Sequence, residues 1–266
     1  MQCTILASGS TGNAVVVRNG ETTLMIDAGL SVKKLDELLE GRGLNGKDLD
    51  AILVTHEHSD HIKGLGAFAR KYNLPIYANA KTWEAMEPRL GALEEAQRHV
   101  FDTGEVLDFG LLKVESFAVS HDAAEPVGFC FYHGDQKLSL ATDLGYVSPN
   151  VRERITDSDV LILESNHDIE MLRVGKYPWN LKRRILGDTG HLSNDAAGEA
   201  LCSVVTERTK RVYLAHLSQD HNLMDLARLT VNSILEEHGC YEKNAALKLM
   251  DTYFDRPTLW DDLDMD

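Results

Sequence analysis

Three imidazoles and a carboxylate, His56, His58, Asp60 and His61, fall within six residues directly after the short apolar run Ala51 to Val54. That run is too short for a helix and is bounded by polar residues, so it reads as a strand with the cluster on the loop leaving its end. Side chains two apart in extended backbone point the same way, so His56 and His58 can share one ion while Glu57 faces the other side. Asp60 and His61 enter an amphipathic helical pattern over Asp60 to Tyr72 and can turn toward a second ion. Nitrogen and oxygen donors without thiolate suit Zn, Mn or Fe, with Mg a further candidate. A lone catalytic ion needs three protein ligands. Four here, with more downstream, argue for two divalent ions per chain.

The downstream candidates each follow an apolar strand pattern: His121 after Val114 to Val119, Asp143 after Leu138 to Ala141, and His216 after Val212 to Ala215. Any one alone is an ordinary polar residue at a strand end. Together with the cluster they require a layered fold that brings strand ends to one place. A carboxylate such as Asp143 has two oxygens and can bridge two cations about 3.5 to 4 Å apart, with a water held between them.

The remaining pattern fits such a fold. Strands are predicted over Cys3 to Leu6, Ala14 to Arg18, Thr22 to Ile26, Pro75 to Ala78, Leu111 to Val119, Val127 to His133, Lys137 to Ala141 and Val160 to Leu163. Helices are predicted over Ser31 to Glu40, Thr82 to Met86, Asn194 to Glu207 and Leu223 to Glu237. Strand runs with interspersed helices in two successive halves indicate an α/β (α+β layered) fold, with two sheets face to face and helices outside. One domain over residues 1–250 is expected, and the acidic segment 251–266, DRPTLWDDLDMD at its end, is expected to fray. The 27 basic and 42 acidic residues leave a net charge of −15, so no diffuse basic footprint attracts polyanions, and a nucleic-acid substrate must be held locally. No apolar stretch approaches a membrane span and no signal-peptide pattern opens the chain, so a cytoplasmic protein with no membrane partner is expected. The four cysteines form no CxxC pair and read as reduced thiols.

The HxHxDH pattern of His56, His58, Asp60 and His61, with the later His121, Asp143 and His216, resembles the metallo-β-lactamase superfamily. The resemblance implies an αββα sandwich. It also implies one metal on His56, His58 and His121, a second on Asp60, His61 and His216, and Asp143 between them. Asp27, in Leu24-Met25-Ile26-Asp27-Ala28-Gly29, matches an early strand-end Asp that orients ligands rather than binding metal. Further motifs are similar to the bacterial YycJ/WalJ family: Ser8-Gly9-Ser10-Thr11-Gly12-Asn13, Ser120-His121-Asp122-Ala123, Thr142-Asp143-Leu144-Gly145, Glu164-Ser165-Asn166-His167-Asp168, Gly190-His191-Leu192-Ser193-Asn194 and His216-Leu217-Ser218. His221-Asn222 stands where that pattern has two asparagines, and no β-CASP cap is visible between Asp143 and His216. The family implies a metal-dependent exonuclease that degrades DNA, with a proposed role in repair.

Two divalent ions would supply local positive charge despite the net −15, and Lys33, Lys34, Lys176, Lys182, Arg183 and Arg184 are candidates for a basic track. Ser8, Ser10 and Asn13 in the early turn, with Asn166, Ser218 and Asn222, are candidate substrate contacts. Asp60 is a candidate catalytic residue as well as a ligand. His191 is the candidate proton donor to the leaving alkoxide, because an imidazole pKa of about 6.5 allows donation near neutral pH, and His167 is the alternative. Two other readings stay open: a hydrolase of small thioesters, lactones or cyclic phosphodiesters, and a non-catalytic metal-stabilised regulatory module. Oligomeric state is not encoded in these motifs.

Overall fold

Strands that are apolar at almost every position need burial on both faces, and the computed structural model, which describes residues 1–264, provides it. Strands β1 (Gln2–Ala7), β2 (Ala14–Arg18) and β3 (Thr23–Ile26) form an antiparallel meander. Strands β4 (Ala51–Leu53), β5 (Ile76–Asn79) and β6 (Arg98–Phe101) extend it in parallel. The second half repeats the plan. Strands β7 (Val106–Phe109), β8 (Leu112–Ala118), β9 (Val127–His133) and β10 (Gln136–Ala141) run antiparallel, and β11 (Val160–Glu164), β12 (Arg211–Ala215) and β13 (Lys248–Asp251) add on in parallel. A last short strand, β14 (Asp261–Asp262), pairs with β1, so each sheet has seven strands.

The period-2 alternation of side chains divides each central strand between two cores. In β4 and its exit, Ala51 and Leu53 pack between the sheets, while Ile52 and Val54 face helices α1 (Val32–Glu40), α3 (Leu65–Tyr72) and α4 (Ala80–Leu90). In β11, Val160 and Ile162 face the other sheet; Leu161 and Leu163 face α5 (Pro149–Ile155), α8 (Asn194–Val204) and α9 (Met224–Glu237). The layers are therefore helix, sheet, sheet, helix. No helix among the described residues is long and apolar enough to cross a membrane.

Local differences from the sequence expectation have physical causes. The predicted helix over Asp60 to Tyr72 is two, α2 (Ser59–Ile62) and α3, broken at Gly64. The Gly64 N–H donates to Ala28 O at 2.9 Å, and a Cβ there would stand 2.0 Å from Leu30 O, so the chain must approach too closely for any side chain. Edge strands β6 and β7 are short and half exposed, which removes the periodic signal. The short helices α6 (Ile169–Val174), α7 (Trp179–Ile185) and α10 (Cys240–Lys243) lack one for the same reason of length.

The 251–266 segment does not fray over its described residues. Thr258 N donates to Ile5 O, Ile5 N donates to the Thr258 hydroxyl, and Leu263 is 3% exposed in the inter-sheet core. Asp261 accepts from Arg211 Nε and the Tyr213 hydroxyl, both at 2.8 Å, so this carboxylate is paired rather than solvated, whereas Asp255 and Asp264 stay exposed. Residues 265 and 266 lie outside the described residues. Leu263→Ala should therefore destabilise the fold by about 2–5 kcal/mol in urea unfolding, as a core truncation does. A change below about 0.5 kcal/mol would mean that the tail is not docked.

Candidate metal centre

Strands β3, β4, β8, β10, β11 and β12 each end on the same rim, and every candidate ligand sits at or just past such an end. Three strand-end residues, Asp27 and the candidate ligands Asp143 and His216, have φ of 60°, 57° and 55°. Left-handed backbone at a non-glycine residue costs energy and persists where surrounding bonds hold it. Here it turns the chain sharply, so that the side chain drops into the cleft.

The rings of His56, His58 and His121 lie 4.6 to 5.1 Å apart, and His121 Nε2 is 3.2 Å from His58 Nδ1. On the other side, Asp60 Oδ2 lies 3.4 Å from both His61 Nε2 and His216 Nε2. Asp143 stands between the groups: Oδ2 is 3.3 Å from His61 Nε2, while Oδ1 is 3.5 Å from His216 Nε2 and 3.7 Å from His121 Nε2. These separations exceed a good hydrogen bond. They match the roughly 3.4 Å edge of a tetrahedron with metal–ligand bonds of about 2.0–2.1 Å. Buried His56 Nε2 and Asp143 Oδ2 have no hydrogen-bond partner among the described residues, and a cation would satisfy both. The donor set thus fits divalent metal, with His56, His58 and His121 as one potential group and Asp60, His61 and His216 as another.

Charge is divided unevenly. Burial, then the neighbouring His61, His121 and His58, lowers the His56 pKa, and burial also lowers that of His121. Burial works in the same direction on His216, but Asp143, Asp60 and Glu164 outweigh it and raise its pKa to about 10. His61 is raised against burial by Asp143 and Asp27. A ligated imidazole is neutral, so a cation would take the place of those protons as partner to the carboxylates.

Outer contacts fix the ligands. Asp27 Oδ2 is 2.7 Å from His61 Nδ1 and accepts from the Thr55 hydroxyl, and Asp27 Oδ1 accepts from Thr55 N. Glu164, fully buried, does the same for the opposite wall. Its Oε1 lies 2.8 Å from His191 Nδ1 and 3.0 Å from His216 Nδ1, and its Oε2 accepts from Leu144 N and Leu192 N. Those contacts are shorter than the 3.3 to 3.7 Å between Asp143 and its imidazoles, as for a carboxylate that holds both rings by hydrogen bonds, although Asp143, Glu164, His191 and His216 also stand close enough to form a donor group of their own. The sequence offered Glu164 only as the first residue of the Glu164-Ser165-Asn166-His167-Asp168 motif, with no role of its own. The available signal was a carboxylate ending the apolar run Val160 to Leu163. Glu57 turns away, its Oε1 accepting from Ala124 N.

The structure brings His191 to the mouth: its side chain is 20% exposed, stacked on His216 at 5.2 Å and 5.0 Å from His121. His167, the alternative donor, is corrected. It is buried, its backbone bridges Ser193, and burial holds its pKa down to about 4, so near neutral pH it is not an imidazolium. Most of the expected substrate contacts also have partners within the loops themselves, while Ser8, Ser218 and Asn222 line a surface pocket. The Ser8 hydroxyl accepts from His216 N at 2.8 Å, and Asn166 Nδ2 donates to His216 O at 2.7 Å. Asn13 is bonded to Gly9 and reaches Asp60 and His61, while Asn222 pairs with Asn194 and Ser165. The Ser218 hydroxyl accepts from His221 N. These side chains brace the ligand loops, and only Ser10 of the six is exposed. Of the basic track, Lys182 is buried with its Nζ on Arg173 O and Gly175 O, and Arg184 pairs with Asp122.

Residues 22–217 match the beta-lactamase superfamily domain. The chain is 51% identical over 254 residues to the exodeoxyribonuclease YycJ of Bacillus anthracis, covering 96% of each. It is 48% identical over 229 residues to the exodeoxyribonuclease WalJ of Streptococcus pneumoniae, covering 85% of each. Its fold is similar to that of Zn(2+)-bound PqqB from Methylobacterium extorquens, with a TM-score of 0.73 at 17% identity over 97% of this chain and 99% of that one.

With Glu164 holding His216 and His191 by hydrogen bonds, Glu164→Gln should weaken metal affinity about 10- to 100-fold in a chelator competition. Glu57→Ala should leave it unchanged. Equal affinity in wild type and Glu164→Gln would remove the orienting role.

Proposed function

Since this chain belongs to the beta-lactamase superfamily, and within it to the family of the YycJ and WalJ exodeoxyribonucleases, we propose that it uses two divalent ions to hydrolyse DNA phosphodiesters from an end. The observation that carries the reading is Asp143, whose Oδ1 lies near one imidazole of each donor group, His121 and His216, and whose Oδ2 lies near His61, so that the carboxylate stands between the two groups. Zn, Mn or Fe suits these nitrogen and oxygen donors, with Mg as the further candidate. Such ions, when bound, would lower the pKa of a water toward neutrality and offset phosphate charge.

The chain's own groups do the rest. His56, His58, Asp60, His61, His121, Asp143 and His216 fix where the phosphate and the attacking water meet. As water attacks phosphorus and the bond to the departing sugar oxygen breaks, that oxygen needs a proton. In this reading His191 gives one. Its Nδ1 is occupied by Glu164, which leaves Nε2 as the donor atom. Glu164 then carries the charge balance of the imidazolium, and it raises the His191 pKa, with Asp143, against the effect of burial. The four free cysteines fit a reducing, cytoplasmic setting.

Purified protein supplied with Mn, Mg or Zn should shorten end-labelled DNA and lose that activity with chelator. Efficient cleavage of a thioester or lactone with no attack on nucleic acid under any metal would contradict the reading. His191→Ala should keep its metal and lose about 10² to 10⁴ in kcat on DNA, but lose far less on an ester with a p-nitrophenolate leaving group, which needs little protonation. Equal loss on both substrates would assign His191 to binding or structure.

A further inference from the structure

The segment 169–190, between β11 and α8, folds as a helical hairpin of α6 and α7 that the ligand chemistry does not use. It carries five basic side chains, Arg173, Lys176, Lys182, Arg183 and Arg184, against two acidic ones, Glu170 and Asp188, in a chain of net charge −15. Lys182 and Arg184 are spent on the hairpin itself, one on backbone carbonyls and the other on Asp122. Lys176 and Arg183 are exposed and have no polar partner among the described residues. Trp179 is 62% exposed, and one helical turn separates it from Arg183 on the same face of α7. Lys182 Nζ lies 5.9 Å from the centroid of the Trp179 ring, yet most of this large aromatic stays in water, one turn from the unpaired Arg183.

The base of this hairpin is bonded to the loop that carries ligand His121. The Ser120 hydroxyl donates to Asp188 O at 2.7 Å, Asp122 N donates to Thr189 O at 3.1 Å, and His121 Nδ1 is 3.0 Å from Gly190 O. The chain then continues directly into His191. Whatever the exposed face of the hairpin holds is therefore held at a fixed offset from the metal centre.

We propose that this hairpin is the DNA grip: Lys176 and Arg183 each meet a backbone phosphate, and Trp179 stacks on an unpaired base of the strand that enters the cleft. The inference rests on the DNA-hydrolysing reading above. A local patch of this kind is what an acidic protein needs, because phosphate contacts supply most of the affinity and aromatic stacking is indifferent to sequence.

The test compares single-stranded DNA with methyl p-nitrophenyl phosphate, a diester too small to reach the hairpin, on metal-loaded protein. Trp179→Ala should raise KM for DNA about fivefold or more, with Trp179→Phe keeping most of the affinity. Lys176→Gln with Arg183→Gln should make the slope of log affinity against log salt shallower by about 1.4, for two lost contacts on a single strand. Turnover of the small diester should stay within about twofold. Lys47→Gln with Lys248→Gln removes the same charge at the opposite ends of the strands and should leave the slope as in wild type. A wild type that cleaves DNA, with KM and slope unchanged in the hairpin variants, would overturn the grip and leave the function intact. Equal losses on both substrates, or the same slope change in the distant pair, would also overturn it. A wild type active on the small diester alone would remove the DNA reading itself.

Discussion

A carboxylate buried among imidazoles sets the terms for this molecule. Asp143 is almost fully enclosed, one oxygen facing His121 and His216 and the other facing His61 without a hydrogen-bond partner. A buried charge is tolerated only where opposite charge matches it. The surrounding architecture brings that match together: two sheets with the relevant strands ending on one rim, and left-handed turns at Asp27, Asp143 and His216 that aim side chains into the gap. Strain of roughly 1–3 kcal/mol at each such turn has to be offset by bonds around it. Ser8 and Asn166 on the His216 backbone and Thr55 on Asp27 are those bonds.

The two walls of the cleft are built alike. Asp27 orients His61 from the first sheet, and Glu164 orients His216 and His191 from the second, each carboxylate at or just past the end of a parallel strand. The second wall differs in one respect with functional weight, since Glu164 holds two imidazoles. One is a ligand. The other stands at the mouth, where a leaving group would pass.

How much could be read from the sequence follows from how local each feature is. The metal loop was legible because His56, His58, Asp60 and His61 are contiguous and follow an apolar strand. His121, Asp143 and His216 were legible because each repeats the same strand-end position, and the layered fold followed from strands in two successive halves. The orienting role of Glu164 was not legible, because its partners Leu144, Leu192, His191 and His216 come from distant segments. Polar residues near the motifs, Ser8, Asn13, Asn166 and Asn222, looked like substrate contacts because composition cannot say whether a side chain points at the cleft or at the backbone behind it. The tail misled for a related reason. Its acidity suggested solvation, whereas Asp261 pairs with Arg211 and Tyr213 and Leu263 enters the core.

The central claim is that one buried carboxylate joins two metal groups in a single cleft. Crystals of metal-loaded protein, with diffraction recorded at the absorption edge of Mn or Zn, locate those ions directly. The account predicts two anomalous peaks about 3.5–4 Å apart, one among His56, His58 and His121 and the other among Asp60, His61 and His216, with Asp143 between them. A single peak at full metal loading, or two peaks that Asp143 does not touch, would contradict it.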